Sequence, residues 1–133
     1  LSGNAITMAA LQTALDHLHT EETYAAMHQS ADALAIGLQA LIREHTLPWS
    51  ISQLGARMEL QFTAQAPQNA DGTRQAQNKQ LERFLHLFML NRGVLLTPFH
   101  NMMLCAPSLD QQHVETVLQR WDEAMTLLRS FAS

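Results

Sequence analysis

A chain of 133 residues is the length of one domain and long enough to bury a core. Hydrophobic residues at 47% against charged ones at 15% exclude a disordered chain, and a net charge of -4 lacks the basic footprint of a nucleic-acid binder. The one cysteine, Cys105, excludes an internal disulfide and fits a reducing compartment, and no apolar run reaches the about 18–20 residues of a membrane-spanning helix.

The chain begins at Leu1 and runs almost directly into a helical pattern, with no basic stretch and apolar core of a signal peptide. That start reads as a processed product or a piece of something larger. Asn4 is a candidate N-cap. From Ile6 to Leu18 apolar residues cover more than one helix face, so this helix is expected to be buried on several sides, against a surface outside the chain. Thr20-Glu21-Glu22 supplies a second cap with two acids at the positive end of the helix dipole. The second helix is expected to run to about Glu44, with Tyr24, Met27, Ala31, Leu34, Ala35, Leu38, Leu41 and Ile42 on its buried stripe.

Trp49 to Leu54 reads as a strand, and Arg57 to Phe62 alternates more clearly, with Met58, Leu60 and Phe62 on one face. Such alternation marks an antiparallel sheet covered on a single side. Residues 64 to 77 are polar, with Pro67, Asn69, Asp71 and Gly72, and are expected to form a long loop. A helix from about Asn78 to Arg92 would bury Leu81, Phe84, Leu85, Phe88 and Met89. Gly93 is the expected left-handed residue closing it.

Two short apolar runs follow, Val94 to Leu96 and Met102 to Ala106, both expected as strands. Between them Thr97-Pro98-Phe99-His100-Asn101 forms a polar kink. The last helix starts at Ser108 or Asp110 and buries Val114, Val117, Leu118, Trp121, Met125 and Leu128. The whole predicts an α+β domain, with a small antiparallel or mixed sheet of three to four strands and helices on one face, preceded by a long apolar helix.

No catalytic constellation is complete. His17 and His19, two apart on a helix, point to different faces, and no HExxH or CxxC motif supports a metal. His100 and Cys105 are separated by an odd number of positions, which on one strand places them on opposite faces. A cysteine inside Met-Met-Leu-Cys-Ala reads as a small buried hydrophobe. Neither GxGxxG nor GxxxxGK[ST] occurs.

Two segments carry a resemblance. Leu1-Ser-Gly-Asn-Ala-Ile-Thr-Met-Ala-Ala10 resembles the Leu-Ser-Gly-Asn-Pro-x-x-Met-Ala-Ala segment of class III pyridoxal-phosphate aminotransferases, the glutamate-1-semialdehyde 2,1-aminomutase type above all. Asn91-Arg-Gly-Val-Leu-Leu-Thr-Pro98, with Asn101 and the helix from Ser108 to Trp121, resembles the C-terminal end of the same family. At the kink the aminomutase type has Pro-Pro-Ser-x-Phe-Glu, whereas this chain has Thr-Pro-Phe-His-Asn and lacks the acid.

The resemblance implies a C-terminal small domain over residues 20–133, with residues 1–19 a connecting helix that packs on a large domain or a dimer partner. It implies a cytoplasmic homodimeric parent that holds pyridoxal phosphate on a lysine of the large domain and acts on a small amino-acid-like substrate. Lys79, the one lysine of this chain, matches no cofactor motif. No catalytic, cofactor-binding or metal residue is therefore assigned to this chain. Phe99, His100 and Asn101 are expected to shape substrate access. The rival reading is a stand-alone dimeric module, without catalysis, that binds a ligand at the Pro98 kink.

Overall fold

The computed structural model describes residues 3–132, so Leu1 and Ser2 of the N-terminal motif, with Ser133, lie outside the described residues. The described elements are α1 (Ala5–His17), α2 (Glu21–Glu44), β1 (Ser50–Leu54), β2 (Arg57–Gln61), α3 (Ala70–Ala76), α4 (Lys79–Leu90), β3 (Met102–Leu104) and α5 (Gln111–Ala132). The strands form one antiparallel sheet in the order β1-β2-β3. This is the expected α+β class.

Local signals set the helix starts. The Asn4 side chain accepts from the Thr7 amide at 2.9 Å, and Thr20 Oγ1 accepts from the Thr23 amide at 3.2 Å. Asn78 caps α4 through the Leu81 amide. Asp110, rather than Ser108, caps α5, its carboxylate accepting from the His113 amide at 2.9 Å. Each side chain satisfies an amide that the first helical turn leaves without a partner.

The core forms where the buried stripes of α2, α4 and α5 meet one face of the sheet. Ala31, Leu34, Ala35, Leu38 and Ile42 of α2 are buried, as are Leu85, Phe88 and Met89 of α4 and Trp121, Ala124 and Met125 of α5. Met58 and Leu60 supply the sheet's share, while Arg57 of the same strand stays exposed. Trp49 packs on Phe62 at the sheet's end, ring centroids 5.2 Å apart. β1 and β2 join through Gly55-Ala56, and Gly55 takes the positive φ of 58° the tight turn needs. Where α2 passes closest to α5, Gly37 faces the Leu118 side chain with no room for a Cβ.

Three expectations are corrected. The polar stretch 64–77 is not all loop: Asn69 caps α3 by accepting from the Gly72 amide at 2.8 Å, and Asp71 pairs with Arg74 one turn on. Those two local contacts outweigh the helix-weakening glycine. Val94 to Leu96 forms no strand. The Val94 amide is bonded to the Met89 carbonyl in the cap of α4, and the Leu96 carbonyl accepts from His86 Nδ1 at 2.6 Å. Groups that a ladder would use are already engaged.

β3 is shorter than the run 102–106, because it pairs only with Arg57, Met58 and Glu59 before Pro107 turns the chain. Helix α1 forms with no buried residue: Ile6 is 83% exposed and Met8 51%. Its large apolar side chains are exposed within the described residues.

Candidate functional site

Gly93 closes α4 at φ 82°, as its lack of a Cβ allows. From there the chain runs out along Val94 to Leu96, turns at Thr97 to Asn101 and returns as β3. Thr97 holds the turn. Its hydroxyl oxygen accepts from the Met102 amide at 3.1 Å and lies 2.7 Å from the Phe99 carbonyl, to which it can donate. The turn needs two successive left-handed residues, His100 at φ 59° and Asn101 at φ 44°. Asparagine tolerates that region better than most side chains.

The three expected access residues lie together but face different surroundings. Phe99 is 52% exposed, and its ring meets the exposed His100 edge-to-face at 5.7 Å. Asn101 is buried, its Nδ2 donating to the Leu60 carbonyl at 3.3 Å. The turn is thus clipped to β2 at its base and presents an aromatic ring and an imidazole at its tip. Cys105, on the return leg, is buried, and burial pushes its thiol pKa up.

Because the outgoing and returning legs share no ladder, an apolar cleft of about 240 Å³ opens between them and α5. Leu34 and Trp121 lie among its lining, along with Val94, Met103, Cys105 and Val117. His113 and Thr116 add its polar groups, and no lysine or arginine lines it. Reading the sequence could not find this cleft. It depends on His86, ten residues upstream, taking the Leu96 carbonyl, and no periodic pattern signals such a bond.

Among the described residues no group of three His, Cys, Asp or Glu side chains could hold a metal ion, and no helix is long and apolar enough to cross a membrane.

No family model matches the chain. A glutamate-1-semialdehyde 2,1-aminomutase 2 of Anoxybacillus flavithermus is 32% identical over 119 residues, which is 88% of this chain and 27% of that protein. The crystal structure of a glutamate-1-semialdehyde aminomutase from Pseudomonas aeruginosa, in complex with PMP, is 40% identical, with a TM-score of 0.90 over 93% of this chain and 27% of that one. An omega-transaminase from Sphaerobacter thermophilus shares the fold, with a TM-score of 0.81 over 93% of this chain at 20% identity. The chain spans about a quarter of the length of the curated relatives it matches.

The fold is that of the C-terminal part of class III pyridoxal-phosphate-dependent aminotransferases. Of the three relatives, the two above 30% identity are both named glutamate-1-semialdehyde aminomutases.

The described residues do not fit a pyridoxal-phosphate site of their own. Lys79 is exposed on the first turn of α4, and the cleft offers neither an amine to hold the aldehyde nor a cation for the phosphate.

Proposed function

We propose that this chain is the C-terminal small domain of a pyridoxal-phosphate-dependent aminotransferase or aminomutase that moves an amino group on a small amino-acid-like substrate. One observation carries the reading: 40% identity with a TM-score of 0.90 to an aminomutase over 93% of the chain. In this reading a large domain precedes Ala5, supplies the Schiff-base lysine and covers α1, and the parent is a cytoplasmic homodimer. The exposed apolar residues of α1 and its C-cap, Ile6, Met8, Leu11, Leu15 and Leu18, support a covering partner, since five large apolar side chains on so short a stretch favour burial. Phe99 and His100 form one wall of substrate access, and Asn101 shapes the turn that presents them. By itself the chain is inert. The stand-alone module has no comparable observation in its favour.

The test is a chimera in which residues 5–132 replace the matching C-terminal segment of the Pseudomonas aeruginosa aminomutase. It should bind pyridoxal phosphate and interconvert glutamate-1-semialdehyde and 5-aminolevulinate, whereas the 133-residue chain alone shows no aldimine absorbance band. A folded chimera that holds no cofactor, or a stoichiometric band at Lys79 in the chain alone, overturns the proposal.

A further inference from the structure

We infer that the open edge of β3 at Leu104, with the apolar cleft beside it, is a docking site for an extended segment of a partner protein. The segment adds one strand to the sheet and seats a neutral, ring-sized side chain in the cleft. The register fixes the edge. The Cys105 amide donates to the Ala56 carbonyl at 3.0 Å, and Met103 lies opposite Met58, so Met103 and Cys105 turn their backbone groups toward β2. In an antiparallel pair such residues alternate with ones whose N–H and C=O point away from the partner strand. Met102 and Leu104 are those residues.

The fold treats the two differently. The Thr97 hydroxyl covers Met102, accepting from its amide at 3.1 Å and lying 3.2 Å from its carbonyl. A side chain placed there closes the edge to strand addition, as protected sheet edges require. Nothing covers Leu104 in that way. Among the described residues no backbone bond joins its N–H or C=O to the outgoing leg, and the residue is 64% exposed. Leu104 also lines the cleft.

The occupant follows from charge and alternation. An outward N–H and C=O on one extended residue carry partial charges complementary to the C=O and N–H of another, the pairing by which peptides add to a sheet edge. A residue paired with Leu104 shares the face of Leu104 and its neighbour Arg57, so the next residue points its side chain to the opposite face, where Met103 and Cys105 lie. Those two line the cleft, whose volume of about 240 Å³ exceeds the roughly 150 Å³ of a dry cavity that takes benzene. No Asp, Glu, Lys or Arg lines it, which selects a neutral side chain such as that of phenylalanine. The site uses groups of this chain alone and does not rest on the proposed transferase reading.

The probe is acetyl-Thr-Phe-Thr-amide, titrated into the ¹⁵N-labelled chain. The Leu104 amide peak should move saturably, and its hydrogen exchange should slow at least severalfold at saturation. Replacing the peptide's Phe by Ala should weaken binding roughly tenfold or more, because the cleft stays unfilled. N-methylation of both threonines, which removes the N–H that faces Leu104, should weaken it at least ~3-fold. Val117→Phe, which places a ring in the cleft from α5, should abolish the shift while the amide spectrum stays dispersed, and the peptide series tests the same site without any variant. A Leu104 amide unmoved at the peptide's solubility limit, equal affinity of the Phe and Ala peptides, or equal affinity after N-methylation overturns the inference. So does a Leu104 amide already protected in the chain alone together with a doubled mass in sedimentation, because a second copy is then the occupant.

Discussion

Thr46 lies just beyond the C-terminus of α2 at φ 53°, in the left-handed region a β-branched residue rarely enters. The helix end requires it there. The Thr46 amide bonds to the Arg43 carbonyl at 3.1 Å and the Leu47 amide to the Ile42 carbonyl at 3.0 Å, the pair of bonds that normally recruits glycine. Thr46 is exposed, so its side chain offers little in return. Thr46→Gly should therefore stabilise the chain by about 1 kcal/mol, read as a raised urea midpoint with an unchanged slope. The sequence shows His45-Thr46-Leu47-Pro48 as a helix stop but not which residue turns left-handed. At Gly93 the glycine itself marks the position, and the expectation is met. At Asn101 the residue type permits the left-handed turn, while its burial against the Leu60 carbonyl becomes visible only once β2 and the turn meet.

Among the elements, α2 and α5 form the main helix pair, and their spacing rests on Gly37 against Leu118. Gly37→Ala gains helix propensity of about 0.5–1 kcal/mol, but the added Cβ overlaps the Leu118 side chain, an overpacking worth about 1–3 kcal/mol. The single substitution should lower stability. In a Leu118→Ala background, with the obstacle gone, the same substitution should raise it, and a double-mutant cycle in urea checks the change of sign.

The start of α5 responds to pH. The backbone amide of His113 first of all, with the His113 side chain, holds the Asp110 carboxyl below its ordinary value. A carboxylate whose pKa is lowered by folding contributes stability above its unfolded value and loses it as pH falls through the folded one. The first turn of α5 should therefore fray in acid, below the usual carboxylate range. Asp110→Asn, which keeps the cap without the charge, should flatten that dependence. Amide exchange at His113 and Val114 across pH reads both outcomes.

At the scale of the whole molecule, α1 stands apart from the core. None of its residues is buried, and its apolar side chains face outward. Removing residues 1–19 should leave the unfolding free energy of the remainder, from urea denaturation, within about 0.5 kcal/mol of the intact chain, as for surface changes that touch no buried group. The same deletion should lower any concentration-dependent self-association, which sedimentation measures directly. A loss of cooperativity instead would mean that α1 belongs to the core.

The sequence by itself determined the α+β class, the three helical stripes of the core, the β1–β2 hairpin, and the caps at Asn4 and Thr20, because each depends on residues within a few positions of one another. The similarity to class III aminotransferases was also legible, at the two ends of the chain, in Leu1 to Ala10 and Asn91 to Pro98. Tertiary structure alone decided that Val94 to Leu96 is not a strand, since its polar groups are taken by Met89 and His86. It alone opened the cleft beside Trp121. The physical reason is common to both. Periodicity reports which side of an element is apolar, but not which partner satisfies a given backbone group or covers a given face.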